Sequence, residues 1–296
     1  MKYYLGIDGG GTTTTAAVSD EKGKILLKKS GKTINFYSVG MEKAAENLAN
    51  LMNSIYSDIE FDSFEAAFIG CSALDSEAES ETIKALCGSV KADKIAMNSD
   101  LFIALRSLDC DFCPCVAVSG TGSMATGEDA YGNIVISGGW GHIIGDEGSG
   151  YSIAVNALRR CCELCDEGID SPLLASACEY FSVDNFRKAI DIIYSPETSK
   201  DIIAGFAASV GKLCDTDGDS RAIVISEAHR FAGTVIILLN KIKSCSVLGL
   251  YGGIFRHNSL YTQAFTEAIK NVYPQIKTQL LNVTPEEGAL RLARNL

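Results

Sequence analysis

One local plan occurs twice in this chain, and the repeat constrains the fold more than any other feature. Residues 2–30 read as a strand, a glycine turn, a strand, a polar turn and a third strand. The same order returns at residues 115–139, about 110 residues later. Apolar and β-branched residues alternate on both sides of each glycine turn, as they do in hairpins. Two equivalent segments predict two similar domains that face each other across a cleft.

The remaining sequence alternates further strands with helices, which is typical of the α/β class with mixed sheets. Short apolar runs at "FEAAFIGCS", at "KIAMNSD" (ending at Asp100) and at "CSVLGLYGG" predict strands. Apolar spacing predicts helices at about 41–57, 76–87, 101–108, 147–165, 171–191, 200–214, 219–243, 258–271 and 285–295. We expect one domain from 1–112 plus the closing helix at 284–296, and a second domain from 113–283.

Composition narrows the classes of partner. The chain has 296 residues and a net charge of -11, which disfavours nucleic acid and anionic membranes, since both require a basic surface. No apolar run reaches the roughly 18 residues of a membrane span. The opening "MKYYLGIDGG" runs directly into a strand pattern without the features of a signal peptide. We therefore expect a cytoplasmic protein.

Eleven cysteines are scattered through hydrophobic segments. Cys110, Cys113 and Cys115 cluster in "LDCDFCPC", and Cys161, Cys162 and Cys165 lie on a predicted helix. A zinc or iron–sulfur site needs four well-spaced ligands, which neither cluster supplies. The favoured interpretation is free structural thiols in a reducing compartment; a metal or redox role is the alternative.

The first glycine turn, "GIDGGGTTTT", has the composition of a phosphate cradle. Successive backbone N–H groups of Gly9, Gly10 and Gly11 can point at one anion, and the hydroxyls of Thr12 and Thr13 add donors. The preceding carboxylate, in Asp8, would face phosphate only with a cation such as Mg²⁺ between them, held through water. The alternative is an ordinary hairpin. Neither a P-loop nor a dinucleotide fingerprint is present.

Two later glycine elements strengthen the phosphate hypothesis. "SGTGS" at 119–123 supplies a second turn of the same kind, with Gly120, Thr121 and Gly122. Two such turns could hold the triphosphate of a nucleotide from both sides. A third element, "GLYGGIFRHN", runs from a strand through Gly252 and Gly253 into a helix, where a nucleoside can approach the backbone. An ordinary strand–helix turn is its alternative.

The order and spacing of these three elements resemble the actin-like ATPase superfamily of sugar kinases, Hsp70 chaperones and actin. Within it the chain is most similar to N-acetylglucosamine kinases of the BadF/BadG/BcrA/BcrD ATPase family. This resemblance covers essentially the whole chain. It implies two actin-like (ribonuclease H-like) domains, ATP and Mg²⁺ as cofactors, an amino sugar as substrate, and a homodimer.

The resemblance also implies roles for individual residues. "GGWGHIIGDEGSGYSIA" is similar to the sugar-binding loop of those kinases, and "KTINFYSVG" and "MNSDLFIAL" match two further motifs. The implied sugar-binding residues are Asn35, Asp100, Gly139, Trp140, Gly141 and Asp146. This chain departs from the family pattern at two places. Many relatives have Asn-Asp-Ala where it has Ser99-Asp100-Leu101, and some have Ala where it has Gly150.

Asp100 is the implied catalytic base, which would accept the proton of the sugar 6-hydroxyl during phosphoryl transfer. Its alternative role is a helix N-cap, because Ser and Asp before an apolar helix are common caps. His142 has no nearby Ser or Cys partner in the sequence, which favours a structural role.

Three alternatives to an N-acetylglucosamine kinase remain open. The first is an activator-type ATPase of the kind that serves 2-hydroxyacyl-CoA dehydratases, although those proteins lack the sugar loop. The second is a non-catalytic actin-like binding protein, which the three aspartates at 8, 100 and 146 disfavour. The third is a kinase for another hexose, such as N-acetylmuramic acid, glucosamine or glucose.

Overall fold

The structure, a computed structural model, describes residues 1–74, 77–106 and 114–296. The chain separates into two compact units, Met1–Asp109 with Leu281–Leu296, and Cys110–Leu280. The predicted boundary after residue 112 falls outside the described residues and stays a prediction. Each unit is considered by itself below.

The first unit is built on a five-stranded sheet in the order β3-β2-β1-β4-β5. The first three strands form an antiparallel meander, whereas β4 pairs parallel to β1 and β5 pairs parallel to β4. The strands are β1 (Tyr3–Gly9), β2 (Thr13–Asp20), β3 (Ile25–Lys32), β4 (Phe64–Cys71) and β5 (Ala92–Asn98). This mixed sheet is the arrangement that the α/β pattern predicts.

Helices cover both faces of this sheet. They are α1 (Phe36–Val39), α2 (Met41–Tyr56), α3 (Ser80–Leu86), α4 (Asp100–Arg106) and, from the end of the chain, α12 (Pro285–Arg294). The larger core lies under α2, which buries Leu48 and Met52 completely. The smaller core lies under α4 and α12. Gly6 permits the contact with α12, because a Cβ there would lie 2.3 Å from the backbone oxygen of Glu286.

The second unit repeats the plan with a sheet in the order β10-β9-β6-β7-β8. Its strands are β6 (Cys115–Ser119), β7 (Ser123–Glu128), β8 (Ile134–Gly138), β9 (Val247–Tyr251) and β10 (Lys277–Leu280). The strands β6, β7 and β8 form the meander, and β9 and β10 add in parallel, as β4 and β5 do in the first unit. The predicted internal repeat is therefore confirmed at the level of strand order and direction.

Helices make up most of the second unit. They are α5 (Gly150–Glu167), α6 (Pro172–Tyr180), α7 (Ala189–Ile193), α8 (Lys200–Leu213), α9 (Gly218–Ile242), α10 (Gly253–His257) and α11 (Ser259–Val272). The core is aromatic where α9, α10 and α11 meet, since Phe231, Phe255 and Phe265 contact one another there.

One helix among the described residues, α9, is long and apolar enough to cross a membrane by length and composition alone. The core helix of a globular unit passes the same test. Phe231, Val235 and Leu238 of α9 are completely buried within the second unit. This helix is therefore weak evidence for a membrane span.

The sequence was wrong about several boundaries. The strand predicted to end at Asp100 ends at Asn98, and the helix predicted from 76 begins at Ser80. The helix predicted over 171–191 is broken, because α6 ends at Tyr180 and Ser182 takes a left-handed φ of 55°. Sequence analysis also missed β10, and it did not divide the helical segment after Gly252 into α10 and α11.

Candidate functional site

The first glycine turn connects β1 to β2 and has one packed end and one open end. Gly9 is buried, and a Cβ there would lie 2.5 Å from a neighbouring isoleucine side chain. Gly10 would meet the Thr13 carbonyl oxygen at 3.2 Å, and Gly11 would meet nothing within 4 Å. Thr12 and Thr13 are exposed. Packing thus explains Gly9, whereas the open end leaves room for a ligand to approach the backbone.

The segment before α1 and the residue after β4 hold this turn in place. Thr33 Oγ1 donates to the Gly10 carbonyl at 2.7 Å, and the Ser72 amide donates to the Gly9 carbonyl at 2.8 Å. Asn35 Nδ2 donates to Ser72 Oγ at 2.9 Å. The turn and Asn35 therefore lie at the same edge of the first sheet.

Asn35 itself has a structural role that sequence analysis missed. Its Oδ1 accepts hydrogen bonds from the amides of Tyr37 and Ser38, both at 3.1 Å, and so caps α1. Both polar ends of the side chain thus have partners within the first unit. A sugar contact by Asn35 stays a prediction.

Asp8, at the end of β1, lies in an acidic cluster. Burial, followed by the carboxylates of Asp100 and Glu286, raises the pKa of Asp8 to about 7. Lys28 pairs with Glu286 at 3.1 Å, but no lysine or arginine among the described residues forms an ion pair with Asp8. A buried carboxylate without a counter-charge is costly, and a divalent cation would remove that cost. Asp8 by itself, and not the three carboxylates as a ligand set, therefore fits the predicted position of a Mg²⁺ ion held through water.

Asp100 is the first residue of α4, and the helix is capped by its neighbour. Ser99 Oγ accepts a hydrogen bond from the Phe102 amide at 3.2 Å, so the capping role proposed as an alternative for Asp100 belongs to Ser99. Burial raises the pKa of the Asp100 carboxyl, against the effect of hydrogen bonds from the amides of Leu101 and of Asp100 itself. A half-buried carboxyl with a raised pKa has the property expected of a general base.

In the second unit, the second glycine turn forms one wall of a cavity of about 770 Å³. Gly120, Thr121 and Gly253, all predicted to contact nucleotide, line this cavity together. Gly252 does not line it. Its φ is 112°, and a Cβ there would lie 2.1 Å from the Ser119 carbonyl oxygen, so close packing of β9 against β6 explains that glycine.

The opposite wall comes from α8, which sequence analysis did not connect to any site. The lining residues of this helix are mostly small: Ala204, Gly205, Ala207, Ala208 and Gly211. Four of them follow the i, i+3, i+4, i+7 spacing of one helix face. A face of small residues lets a flat ligand lie close to the helix backbone. That spacing is the signal by which the sequence could have indicated this wall.

Asp146 forms an ion pair with Lys200, the first residue of α8. Lys200 Nζ lies 2.9 Å from Asp146 Oδ2, and the side chain of Asp146 is 5% exposed. The carboxylate and the ammonium both lie close to Gly122, where a Cβ would be 2.8 Å from Asp146 Oδ2. Lys200 was not among the predicted residues. The structure therefore connects the predicted sugar loop to the second glycine turn through one aspartate–lysine pair.

The loop at 138–150 is glycine-rich partly because it is tightly held at Gly148. The Gly148 amide donates to Glu227 Oε2 at 2.8 Å, and its carbonyl accepts from Ser119 Oγ at 2.8 Å and Tyr261 Oη at 2.7 Å. A Cβ at Gly148 would lie 2.4 Å from the Phe231 side chain. Close packing within the protein, and not only a ligand, requires this glycine.

The other end of the loop is open. Gly139 and Gly141 have left-handed φ angles of 73° and 83°, and Trp140 between them is 75% exposed. The His142 ring packs edge-on against Tyr151, with centroids 4.7 Å apart, which gives this histidine a structural contact. An exposed tryptophan on a left-handed glycine segment is free to contact a ligand.

The described cysteines form no metal site. No three His, Cys, Asp or Glu side chains among the described residues are placed to share a metal ion. Cys115 and Cys161 are buried thiols that form no disulfide, and burial raises the pKa of Cys161 to about 12. Cys110 and Cys113 lie outside the described residues.

Two five-stranded mixed sheets with matching strand order, each carrying a glycine turn after its first strand, define an actin-like ATPase fold. The solved structure of a putative N-acetylglucosamine kinase from Porphyromonas gingivalis has this fold. It aligns with a TM-score of 0.75 at 20% identity, over 100% of this chain and 99% of that one. The predicted fold class is confirmed.

Sequence comparison identifies the family. The chain belongs to the BadF/BadG/BcrA/BcrD ATPase family, whose model matches residues 5–293. It is 27% identical to the N-acetylmuramic acid/N-acetylglucosamine kinase of Clostridium acetobutylicum, over 100% of this chain and 99% of the relative. It is 26% identical to the N-acetyl-D-glucosamine kinase of Dictyostelium discoideum, over 99% of this chain and 98% of the relative.

Proposed function

We propose that this protein is an ATP-dependent kinase that phosphorylates the 6-hydroxyl of an amino sugar, with N-acetylglucosamine as the preferred substrate. The observation that carries the proposal is Asp100, a half-buried carboxyl with a raised pKa at the start of α4, where Ser99 caps the helix. The names of the two curated relatives support the sugar class. Membership of an ATPase family supports ATP as the phosphoryl donor.

The chemistry requires one proton acceptor and a means of holding the phosphates. The sugar 6-oxygen forms a bond to the γ-phosphorus, the bond from that phosphorus to the bridging oxygen of ADP breaks, and Asp100 accepts the hydroxyl proton. Gly10 and Gly11 in the first unit, with Thr12 and Thr13, would donate to phosphate oxygens. In the second unit, Gly120, Thr121 and Gly122 would do the same.

Asp8 would hold Mg²⁺, through water, at the acidic end of β1. When bound, the metal ion would neutralise charge on the phosphates. Support for this placement comes from the raised pKa of Asp8, because a carboxylate without a counter-charge gains most from a bound cation.

The nucleoside would occupy the 770 Å³ cavity of the second unit, whose lining includes Gly253 and the small-residue face of α8. Its size lies within the range usual for small-ligand pockets. The sugar would contact the loop containing Gly139, Trp140 and Gly141. Trp140 supplies an apolar face, and the flanking glycines leave backbone groups accessible.

A coupled ADP-release assay tests the proposal with N-acetylglucosamine, N-acetylmuramic acid, glucosamine and glucose. We expect sugar-dependent ADP release, with kcat/KM for N-acetylglucosamine at least roughly tenfold above that for glucose, since a buried polar group left unpaired penalises the wrong sugar. Asp100→Asn protein is the control for contaminating kinase. ADP release that is independent of sugar would indicate an activator-type ATPase instead, and equal rates on glucose would remove the acetamido preference.

We further propose that the protein works as a homodimer in the cytoplasm. The free cysteines of the described part, including the exposed Cys162, support a reducing compartment. Light scattering of the purified protein tests the dimer, and a monomeric mass at micromolar concentration would contradict it. Cell fractionation tests the location.

A further inference from the structure

We propose that Lys200 binds the terminal phosphates of the nucleotide, and that its ion pair with Asp146 is the state of this lysine before nucleotide binds. The proposal rests on the proposed function in one respect, which is that the second unit binds ATP. It assigns a role to a residue outside the predicted phosphate turns.

The position of the lysine is the first argument. A Cβ on Gly122 would lie 3.1 Å from Lys200 Nζ, so the ammonium lies directly against the second glycine turn. Lys200 begins α8, and the next residue, Asp201, already lines the 770 Å³ cavity. A nucleotide with its base beside the small face of α8 and its phosphates at Gly120 would end next to this ammonium.

The chemistry of the pair is the second argument. Asp146 is almost completely buried, whereas the side chain of Lys200 is 31% exposed. The lysine is therefore accessible from the solvent side although its partner is not. Lysine carries a compact charge on four flexible methylene groups, which lets the ammonium move from a carboxylate to a phosphate without movement of the helix. Amide donors of the glycine turn do not supply a full positive charge, whereas an ammonium beside them would add one to the stabilisation of the terminal phosphates.

A purely structural explanation exists, in which Lys200 only neutralises the buried Asp146. A buried carboxylate that loses its partner destabilises the protein, so a single substitution at Lys200 would not separate the two explanations. A double variant separates them. In Lys200→Met/Asp146→Asn both charges are gone, and no uncompensated carboxylate remains.

Calorimetric titration with a non-hydrolysable ATP analogue and with adenosine is the experiment. For Lys200→Met we expect at least tenfold weaker binding of the triphosphate and less than twofold change for adenosine. The double variant should bind the triphosphate as weakly as Lys200→Met does. Lys200→Arg should keep most of the wild-type affinity for the triphosphate because it retains the charge. Lys212→Met is the matched control, since Lys212 lines the same cavity from the other end of α8. It should change the binding of both ligands by the same factor.

Restored triphosphate binding in the double variant would overturn the proposal, as would an equal loss for adenosine in Lys200→Met. The titration uses no sugar and no turnover. Failure of the sugar kinase function would therefore appear in the ADP-release assay of the wild-type protein, and failure of this inference would appear only in the binding of the Lys200 variants.

Discussion

The two glycine turns occupy equivalent positions in sheets of the same topology, yet the carboxylates beside them are balanced differently. In the first unit Asp8 shares its surroundings with two other carboxylates and has a raised pKa. In the second unit Asp146 is more deeply buried, and it has Lys200 at 2.9 Å. The carboxylate beside the second turn has the ammonium of Lys200 as its counter-charge. The carboxylate beside the first turn would need a cation from solution. The repeated fold thus provides two candidate phosphate-binding turns, and the carboxylates beside them differ in how their charge is neutralised.

The largest expected effect comes from removing the proposed proton acceptor of the first unit. Asp100→Asn should lower kcat by on the order of 10²–10⁴, with a smaller change in nucleotide affinity, because an amide cannot accept the hydroxyl proton. Steady-state ADP release measures this change. The matched control is Ser99→Ala, which removes the cap of α4 and should cost about 1 kcal/mol of stability while kcat stays near the wild-type value. A variant Asp100→Asn that keeps more than roughly a tenth of kcat would contradict a base at this position.

The acidic cluster of the first unit predicts a specific pH dependence. The pKa of Asp8 is about 7 in the folded protein and 3.8 ordinarily, so the folded state keeps a proton that the unfolded state has released. Stability therefore falls as pH rises from 3.8 to 7, and the loss is complete above 7. Asp8→Asn should remove this loss, which amounts to as much as about 4 kcal/mol.

Thermal unfolding with and without Mg²⁺ checks whether stability falls as the pH rises. Without metal, the free energy of unfolding of Asp8→Asn should exceed that of wild type by an amount that grows from about pH 5 to about pH 8. Added Mg²⁺ should stabilise wild type at the higher pH and the variant much less. An equal response of both proteins to Mg²⁺ would place the metal ion elsewhere.

Substitution of one glycine in each turn compares the two elements directly. Gly10→Val and Gly122→Val should each weaken binding of an ATP analogue by roughly tenfold, about 1.4 kcal/mol, because a side chain blocks approach to the backbone. Gly122→Val should also destabilise the fold, since its side chain would meet the Asp146 carboxylate, whereas Gly10 has more space. Gly88→Ala, in open surroundings outside both turns, is the control for calorimetry. Unchanged affinity in both folded valine variants would contradict phosphate binding by the turns.

The sequence predicted the strands and the long helices well because their signals are local. The alternation around each turn identified both meanders, and apolar spacing identified α2, α8 and α9 nearly to the residue. The single helix predicted over 171–191 failed because the left-handed φ of Ser182 depends on packing and not on a recognisable breaker residue.

Site residues were harder to predict wherever a side chain serves its own fold. Asn35 was predicted from its motif to bind the sugar. Its capping of α1 was not predicted, because it depends on backbone amides that are not part of the motif. Lys200 lies 54 positions from Asp146, and a pair so distant in sequence has no local signature. Gly252 was predicted to contact nucleotide, but its close approach to Ser119 explains it. Gly148, within the predicted sugar loop, is likewise explained by its contact with Phe231. A glycine required by packing and a glycine required by a ligand look the same in one sequence.

The smallest expected effect concerns Trp140, and it tests whether the second unit's open loop contacts the sugar. Since Trp140 is 75% exposed, Trp140→Ala should change the free energy of unfolding by less than about 0.5 kcal/mol. Loss of an aromatic wall should raise the KM for N-acetylglucosamine by roughly fivefold, about 1 kcal/mol, with little change in kcat or in the KM for ATP. Tyr131→Ala is the matched control, because Tyr131 is a 90% exposed aromatic residue of the same unit outside the loop. It should leave all of these quantities unchanged. If Trp140→Ala unfolds several degrees earlier at an unchanged KM, the tryptophan supports the loop and does not face the sugar; if neither quantity moves, the sugar binds away from it.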